Sequence, residues 1–258
     1  MEYIAIVRER AAPERLMRSS WTLGMGRLLG TARELLACRL EVLDARRRGR
    51  SNAGQRAALL KRVSARMGAR MGLQARVSGP VPSGACLLVA NHMGYLDPLA
   101  IGAVLPLSAI AKSEITQWPA VGEALEELGV VFVERGSTMS GALALRKAMR
   151  VLQAGVPVLV FPEGTTTFGG DVLPFSRGAF GIARLLRVPV VPVTIRYETR
   201  LACWVGSATF IPHLIRLHKR GSVNAEVIFG PPIEPMAFPD ASSLAAATRL
   251  CIRSLVLP

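Results

Sequence analysis

The chain has 258 residues, half of them apolar, which is enough for one sizeable core and excludes an intrinsically disordered protein. Its formal charge of +14 is uneven: residues 1–76 hold 17 Lys and Arg against 6 Asp and Glu, and residues 77–258 hold 15 against 12. Cys38, Cys86, Cys203 and Cys251 are dispersed, which excludes a disulfide framework as the organising feature, and with only three histidines no metal site is expected.

At the N-terminal end, Glu2, Arg8, Glu9, Arg10 and Glu14 interrupt any hydrophobic run long enough for a secretion signal, so a cytoplasmic location is expected. Trp21, Met25, Leu28, Leu29, Ala32, Leu35, Leu36, Leu40 and Leu43 then recur at three-and-four spacing, a helical apolar stripe, and Arg46-Arg47-Arg48-Gly49-Arg50 follows it. A second stripe, Leu59, Leu60, Val63, Met67 and Met71, is interleaved with Arg56, Lys61, Arg62, Arg66 and Arg70. The two together predict amphipathic helices at a membrane surface, where each cation near anionic headgroups contributes on the order of 1 kcal/mol. The plain alternative is that the stripes pack on the rest of the protein and the arginines are solvated. No recognition motif or interleaved aromatic pattern supports nucleic acid as the partner. No segment reaches the roughly 20 consecutive apolar residues that cross a bilayer, the best, 98–111, stopping well short, so a peripheral protein at the cytoplasmic face is expected.

The run Gly79-Pro80-Val81-Pro82-Ser83-Gly84 breaks regular structure and places a boundary near 77. It divides a basic, helical, membrane-associating segment, 1–76, from an α/β domain, 77–258. Beyond it, strands are predicted near 85–90, 108–112, 130–135, 156–161, 189–197 and 223–229, and helices over 98–105, 118–128, 138–153, 177–187 and 241–255. That alternation predicts an α/β fold with a mixed, largely parallel sheet flanked by helices, preceded by the N-terminal amphipathic helices.

Asn91-His92-Met93-Gly94-Tyr95-Leu96-Asp97 follows the first of these strands and sets a histidine five residues before a carboxylate. On a continuous helix the two side chains would lie about 140° apart. A strand, a tight turn at Gly94 and a helix start, with Asp97 as N-cap and Pro98 as first helical residue, would bring them together. Asp97 then orients the His92 imidazole, whose other nitrogen removes a proton from a substrate hydroxyl, the base half of a catalytic triad without its serine. Read alone, the pair also fits a capping aspartate beside an ordinary loop histidine.

Asn91–Asp97 resembles the HxxxxD signature of the glycerolipid acyltransferases, the family of 1-acylglycerol-3-phosphate and related lysophospholipid acyltransferases. Three more blocks resemble that family in its order: Val131-Phe132-Val133-Glu134-Arg135, Phe161-Pro162-Glu163-Gly164-Thr165 and Val188-Pro189-Val190-Val191-Pro192-Val193. The resemblance spans roughly residues 77–230. It implies transfer of a fatty acyl group from acyl-CoA or acyl-ACP to the free hydroxyl of a lysophospholipid in membrane lipid synthesis, most simply 1-acyl-sn-glycerol-3-phosphate. His92 would be general base and Asp97 its partner, backbone amides would stabilise the oxyanion, and the thioester would be a co-substrate with no cofactor.

Substrate-binding candidates follow the same blocks. Arg135 ends an apolar strand, where a guanidinium can grip a phosphate or carboxylate in a fork. The resemblance implies that Glu163 and Gly164 help bind the acceptor, and Thr165 and Thr166 add hydroxyls beside the flexible Gly169 and Gly170. Many family members carry arginine where this chain has Thr166, and Thr165-Thr166 also resembles the branch that acylates lyso-ornithine lipid, whose acceptor lacks a phosphate monoester. Arg177, at a predicted helix start, can supply the missing positive charge. The fourth block is expected to be architectural or to line an acyl pocket. A lipid hydrolase would need a nucleophile, and no Gly-x-Ser-x-Gly elbow occurs; a non-catalytic membrane-binding protein would have no use for His92, Asp97, Glu163 and Gly164 together.

Overall fold

The structure, a computed structural model, describes residues 14–49, 52–117, 121–134, 136–206 and 208–256. Helices α1 (Glu14–Arg47) and α2 (Ala53–Arg70) lead into β1 (Leu73–Ser78), β2 (Leu87–Ala90), α3 (Leu96–Gly102), β3 (Ser108–Lys112) and α4 (Val121–Glu127). They are followed by β4 (Val131–Val133), α5 (Thr138–Gln153), β5 (Val158–Val160), α6 (Gly178–Leu186), β6 (Val190–Tyr197), α7 (Phe210–Arg220), β7 (Val223–Phe229) and α8 (Ala241–Val256). Each strand and helix expected between 85 and 255 is present, with ends displaced by a few residues.

The strands form one sheet in the order β1-β7-β6-β2-β5-β3-β4. Neighbours are parallel except β6 and β7, so β1 and β7 run against the other five, and the sheet is mixed and largely parallel as its sequence pattern predicts. Alternate side chains enter two apolar layers. Leu88, Ala90, Leu159, Val191, Val193 and Ile195 meet Leu60 and Val63 of α2, Leu96 and Ile101 of α3 and Leu217 of α7. Leu87, Val89, Val158, Val160 and Val190 meet Leu152 of α5, Phe180 of α6 and Leu244 and Ile252 of α8. Strands covered on both faces read as unbroken apolar runs, which is why β2, β5 and β6 are conspicuous in the sequence.

β1 is a different case. It pairs along its whole length with β7, from Leu73 opposite Val223 to Ser78 opposite Ile228, so it runs through the boundary expected at 76/77 and ties residues 73–76 into the sheet. Five of its six residues are exposed, and a strand at the edge with so little buried surface carries no alternation to read. α7 is also absent from the sequence-based expectation. Its Pro212 sits in the first helical turn, where a missing N–H costs nothing, but in the sequence it reads as a breaker.

The second N-terminal stripe corrects an expectation. Leu59, Leu60, Val63, Met67 and Met71 are all buried in the layer formed with α3, so this face of α2 packs on the α/β core and is closed to lipid. Periodicity reveals that a helix face is apolar but not what covers it. A capping box starts α2: Asn52 Oδ1 accepts from Gln55 N at 2.8 Å while Gln55 Oε1 accepts from Asn52 N at 3.4 Å. α1 is pinned to α2 by Arg66, which donates to Glu34 at 2.5 Å and to Glu41 at 2.6 Å. It is joined to α7 where Thr31 donates to His218 Nε2 at 3.1 Å, the other ring nitrogen being spent on the Leu214 carbonyl. One face of α1 is thus buried through Thr31, Glu34, Cys38 and Val42, while Leu29, Leu36, Leu40 and Leu43 on the other are 37% to 65% exposed. The side chains of Trp21, Met25 and Leu28 lie outside the described residues.

Candidate active site

β2 delivers Asn91 and His92 to the C-terminal edge of the sheet, where open α/β sheets place their ligand sites. The chain then turns at Gly94, whose amide region lies against the backbone of Trp204: a Cβ there would sit 3.1 Å from Trp204 N and 3.3 Å from Ala202 O. α3 starts at Leu96 with Tyr95 as N-cap. Asp97 is therefore inside the first turn and not the cap expected from Asp97-Pro98. Its carboxylate folds back onto the preceding loop, where it meets the His92 ring and the Met93 and Gly94 amides.

Asp97 is fully buried and takes four hydrogen bonds. Oδ2 accepts from His92 Nδ1 at 2.7 Å, Met93 N at 2.6 Å and Gly94 N at 2.8 Å, and Oδ1 accepts from the Tyr197 hydroxyl at 2.8 Å. A carboxylate so surrounded by donors is an acceptor toward the imidazole. Neutral His92 accordingly carries its proton on Nδ1, and Nε2 is the basic nitrogen. The His92 ring stacks on Phe161, with centroids 4.1 Å apart and planes 22° from parallel, so it is held by both an edge bond and a face contact.

The loop after β5 is stitched to this turn. Glu163 accepts from His92 N at 2.8 Å and from Leu173 N at 2.9 Å, and Thr167 N donates to the His92 carbonyl at 2.8 Å. Burial raises the Glu163 carboxyl above its ordinary range, and its two amide bonds oppose that shift. Trp204 joins both loops through its backbone: its N–H donates to Met93 O at 2.7 Å and its carbonyl accepts from Thr166 Oγ1 at 2.7 Å. Behind the turn, Tyr95 donates to His213 Nδ1 at 2.8 Å while His213 Nε2 donates to Cys203 O at 3.1 Å. Burial lowers His213 below its usual range, consistent with a neutral ring in this relay.

The structure thus brings His92, Asp97, Glu163 and Thr166 into one network. Gly164, in the left-handed region at φ 70°, and Thr165 are exposed at the tip of the same loop. Arg177 is the N-cap of α6 and exposed; Ser176 N donates to Pro162 O at 2.9 Å, which brings the start of that helix beside the Glu163 loop, but no hydrogen bond or ion pair among the described residues joins Arg177 to the dyad. Arg135 lies outside the described residues. In the fourth block Val190, Val191 and Val193 are buried strand residues.

Sequence reasoning passed over Tyr197, Asn91 and Trp204. Asn91 exchanges two bonds with Ile195, donating to its carbonyl at 3.0 Å and accepting from its amide at 2.8 Å, and so locks the end of β2 to β6. The one available signal for Tyr197 was its period-two alignment with Val191, Val193 and Ile195 at the end of an apolar strand, which puts a polar tip on a core-facing position.

The acyltransferase family profile matches residues 74–196. A lyso-ornithine lipid O-acyltransferase of Brucella abortus is 33% identical over 214 residues, covering 76% of this chain and 79% of that protein. A 1-acyl-sn-glycerol-3-phosphate acyltransferase of Neisseria gonorrhoeae is 36% identical over 127 residues, 49% of this chain and 50% of that protein. The crystal structure of the 1-acyl-sn-glycerophosphate (LPA) acyltransferase PlsC from Thermotoga maritima superposes with a TM-score of 0.65 at 24% identity, over 93% of this chain and 96% of that one, and so shares the fold. With an HxxxxD turn at the sheet edge, this fold and that extent of similarity, the chain belongs to the glycerolipid acyltransferase family.

Proposed function

We propose that this acyltransferase transfers a fatty acyl group from an acyl thioester, carried by coenzyme A or acyl carrier protein, to the free hydroxyl of lyso-ornithine lipid, with His92 as general base. The reading is carried by one observation: a His92–Asp97 pair at 2.7 Å in which the carboxylate is saturated with donors and Nε2 is left basic. In the reaction Nε2 takes the hydroxyl proton as the lipid oxygen attacks the thioester carbonyl. The tetrahedral intermediate collapses with release of the thiolate, which recovers that proton from the imidazolium, and no acyl-enzyme forms. Asp97 supplies the countercharge while the imidazolium exists.

Two facts favour lyso-ornithine lipid as acceptor. The similarity to the lyso-ornithine enzyme extends over three quarters of the chain, and position 166 holds a threonine whose hydroxyl is engaged by the Trp204 carbonyl, with no cation there for a phosphate monoester. The second reading, 1-acyl-sn-glycerol-3-phosphate, is favoured by the similarity to the Neisseria enzyme across the catalytic half and by Arg177 near the Glu163 loop. The enzyme would work from the cytoplasmic face as a peripheral protein. Among the described residues no helix is long and apolar enough to cross a membrane, and the exposed row Leu29, Leu36, Leu40 and Leu43 of α1 offers lipid an apolar face.

The test is product analysis by mass spectrometry with purified protein, each lysolipid and each thioester. Ornithine lipid formed faster than phosphatidic acid supports the first reading, and the reverse order replaces it with the second. Thiol release that needs no lysolipid would mean a hydrolase. His92→Ala is expected to lower turnover by about 10²- to 10⁴-fold with the fold intact; near-normal turnover removes His92 from the mechanism.

A further inference from the structure

We propose that Tyr197 is a positioning residue of the acyl-transfer reaction: its hydroxyl holds Asp97 against His92 and sets how firmly that carboxylate grips the protonated imidazole. The inference rests on His92 as the base and adds a residue that the HxxxxD turn does not contain.

The two oxygens of Asp97 are served differently. Oδ2 draws its three donors from residues 92–94, within its own turn, whereas Oδ1 has Tyr197, 100 residues away on β6, as its donor. Asp97 is 0% exposed, so water does not stand ready to replace the phenol. Burial, and then the Asp97 charge, hold the Tyr197 hydroxyl well above its ordinary range, which keeps it a protonated donor at any working pH. Its position is rigid as well, because two residues before it Ile195 is bonded in both directions to Asn91, the residue preceding His92. The sheet itself, through β6, thereby sets the carboxylate's orientation.

A phenol donating into a carboxylate withdraws part of its negative charge. The carboxylate then holds an imidazolium less tightly, and the variants below read out that difference. Among the described residues, the other titratable and charged groups around the pair are Glu163 from the loop after β5, Cys203 from the turn after β6 with Arg200 acting on it, Tyr95 two residues before Asp97 and, behind Tyr95, His213 of α7. All of them remain in place in the variants below.

The experiment is the pH dependence of kcat and of kcat/KM for the full chain with its thioester and lysolipid. It compares wild type with Tyr197→Phe, which keeps the ring and removes the donor, and with Tyr197→3-fluorotyrosine, which keeps the ring and strengthens the donor. The acid limb should move to higher pH in Tyr197→Phe, by about half to one unit, equivalent to about three- to tenfold in turnover below the limb. It should move to lower pH in the fluorotyrosine form, with KM for both substrates within about twofold of wild type. Limbs that coincide in every form, or that move in the same direction, overturn the proposal. The fluorinated form keeps the buried hydroxyl, so it decides the matter even if Tyr197→Phe does not fold. Retained turnover in His92→Ala would instead remove the base itself, a failure that the tyrosine series neither causes nor hides.

Discussion

Asp97→Asn separates the charge of the dyad partner from its role as scaffold. With the amide oxygen in the place of Oδ2, asparagine still accepts from His92 Nδ1, Met93 N and Gly94 N, and its NH2 group faces a Tyr197 hydroxyl that can turn to accept. What is lost is the countercharge to the imidazolium. Unit charges about 4 Å apart at an effective dielectric of about 20 attract by about 4 kcal/mol, and the transition state carries only part of that charge, so about 2–4 kcal/mol of stabilisation goes. That corresponds to a drop in kcat of about 30- to 900-fold. Asp97→Ala would instead leave four donors around a dry cavity at about 1–3 kcal/mol for each unsatisfied group, and would unfold the site. The assay is single-turnover acyl transfer with the acceptor saturating, beside circular dichroism and a melting curve. An Asp97→Asn protein that melts like wild type and keeps more than about a third of kcat would refute the assignment of Asp97 as countercharge.

Burial lifts the Glu163 carboxyl above its ordinary range, so the folded protein binds that proton more tightly than the unfolded chain does. Its contribution to stability is complete below the ordinary carboxylate range and is lost as pH rises through the folded value. The stability difference between wild type and Glu163→Gln, measured by urea unfolding, should therefore shrink from about pH 4 to about pH 7, and growth over that window would contradict it. In Gly94→Ala the new methyl must displace the Trp204 backbone 3.1 Å off by a few tenths of an ångström and strain its bond to Met93, an overpacking cost of about 1–3 kcal/mol. A melting point lowered by roughly 2–12 °C, together with reduced turnover, is expected, and an unchanged melting curve would show that the turn has slack. Leu36→Asp and Leu40→Asp, on the open face of α1, should weaken co-sedimentation with anionic lipid vesicles by at least about tenfold without changing the melting point, since each removes about 1.5–3 kcal/mol of apolar contact with lipid. Wild-type sedimentation in both would move the lipid surface elsewhere on the molecule.

The local chemistry of the dyad was written in the chain: an apolar run, then a histidine, a glycine turn and an aspartate within the next seven residues, and the helical stripes and buried strands around them. Patterns of this kind survive in sequence because each is set by neighbours a few residues apart, through helical periodicity, strand alternation or turn geometry. Tertiary structure decided the rest. Tyr197 meets Asp97, Asn91 meets Ile195 and Trp204 clips two loops together across separations of 38 to 111 residues, and β1 finds β7 about 150 residues further on. The burial of α2 belongs with them, for Leu60 and Val63 look the same in sequence whether lipid or α3 lies above. Such partners depend on which strands lie side by side and in what register, a property of the assembled sheet that no short stretch of side chains encodes.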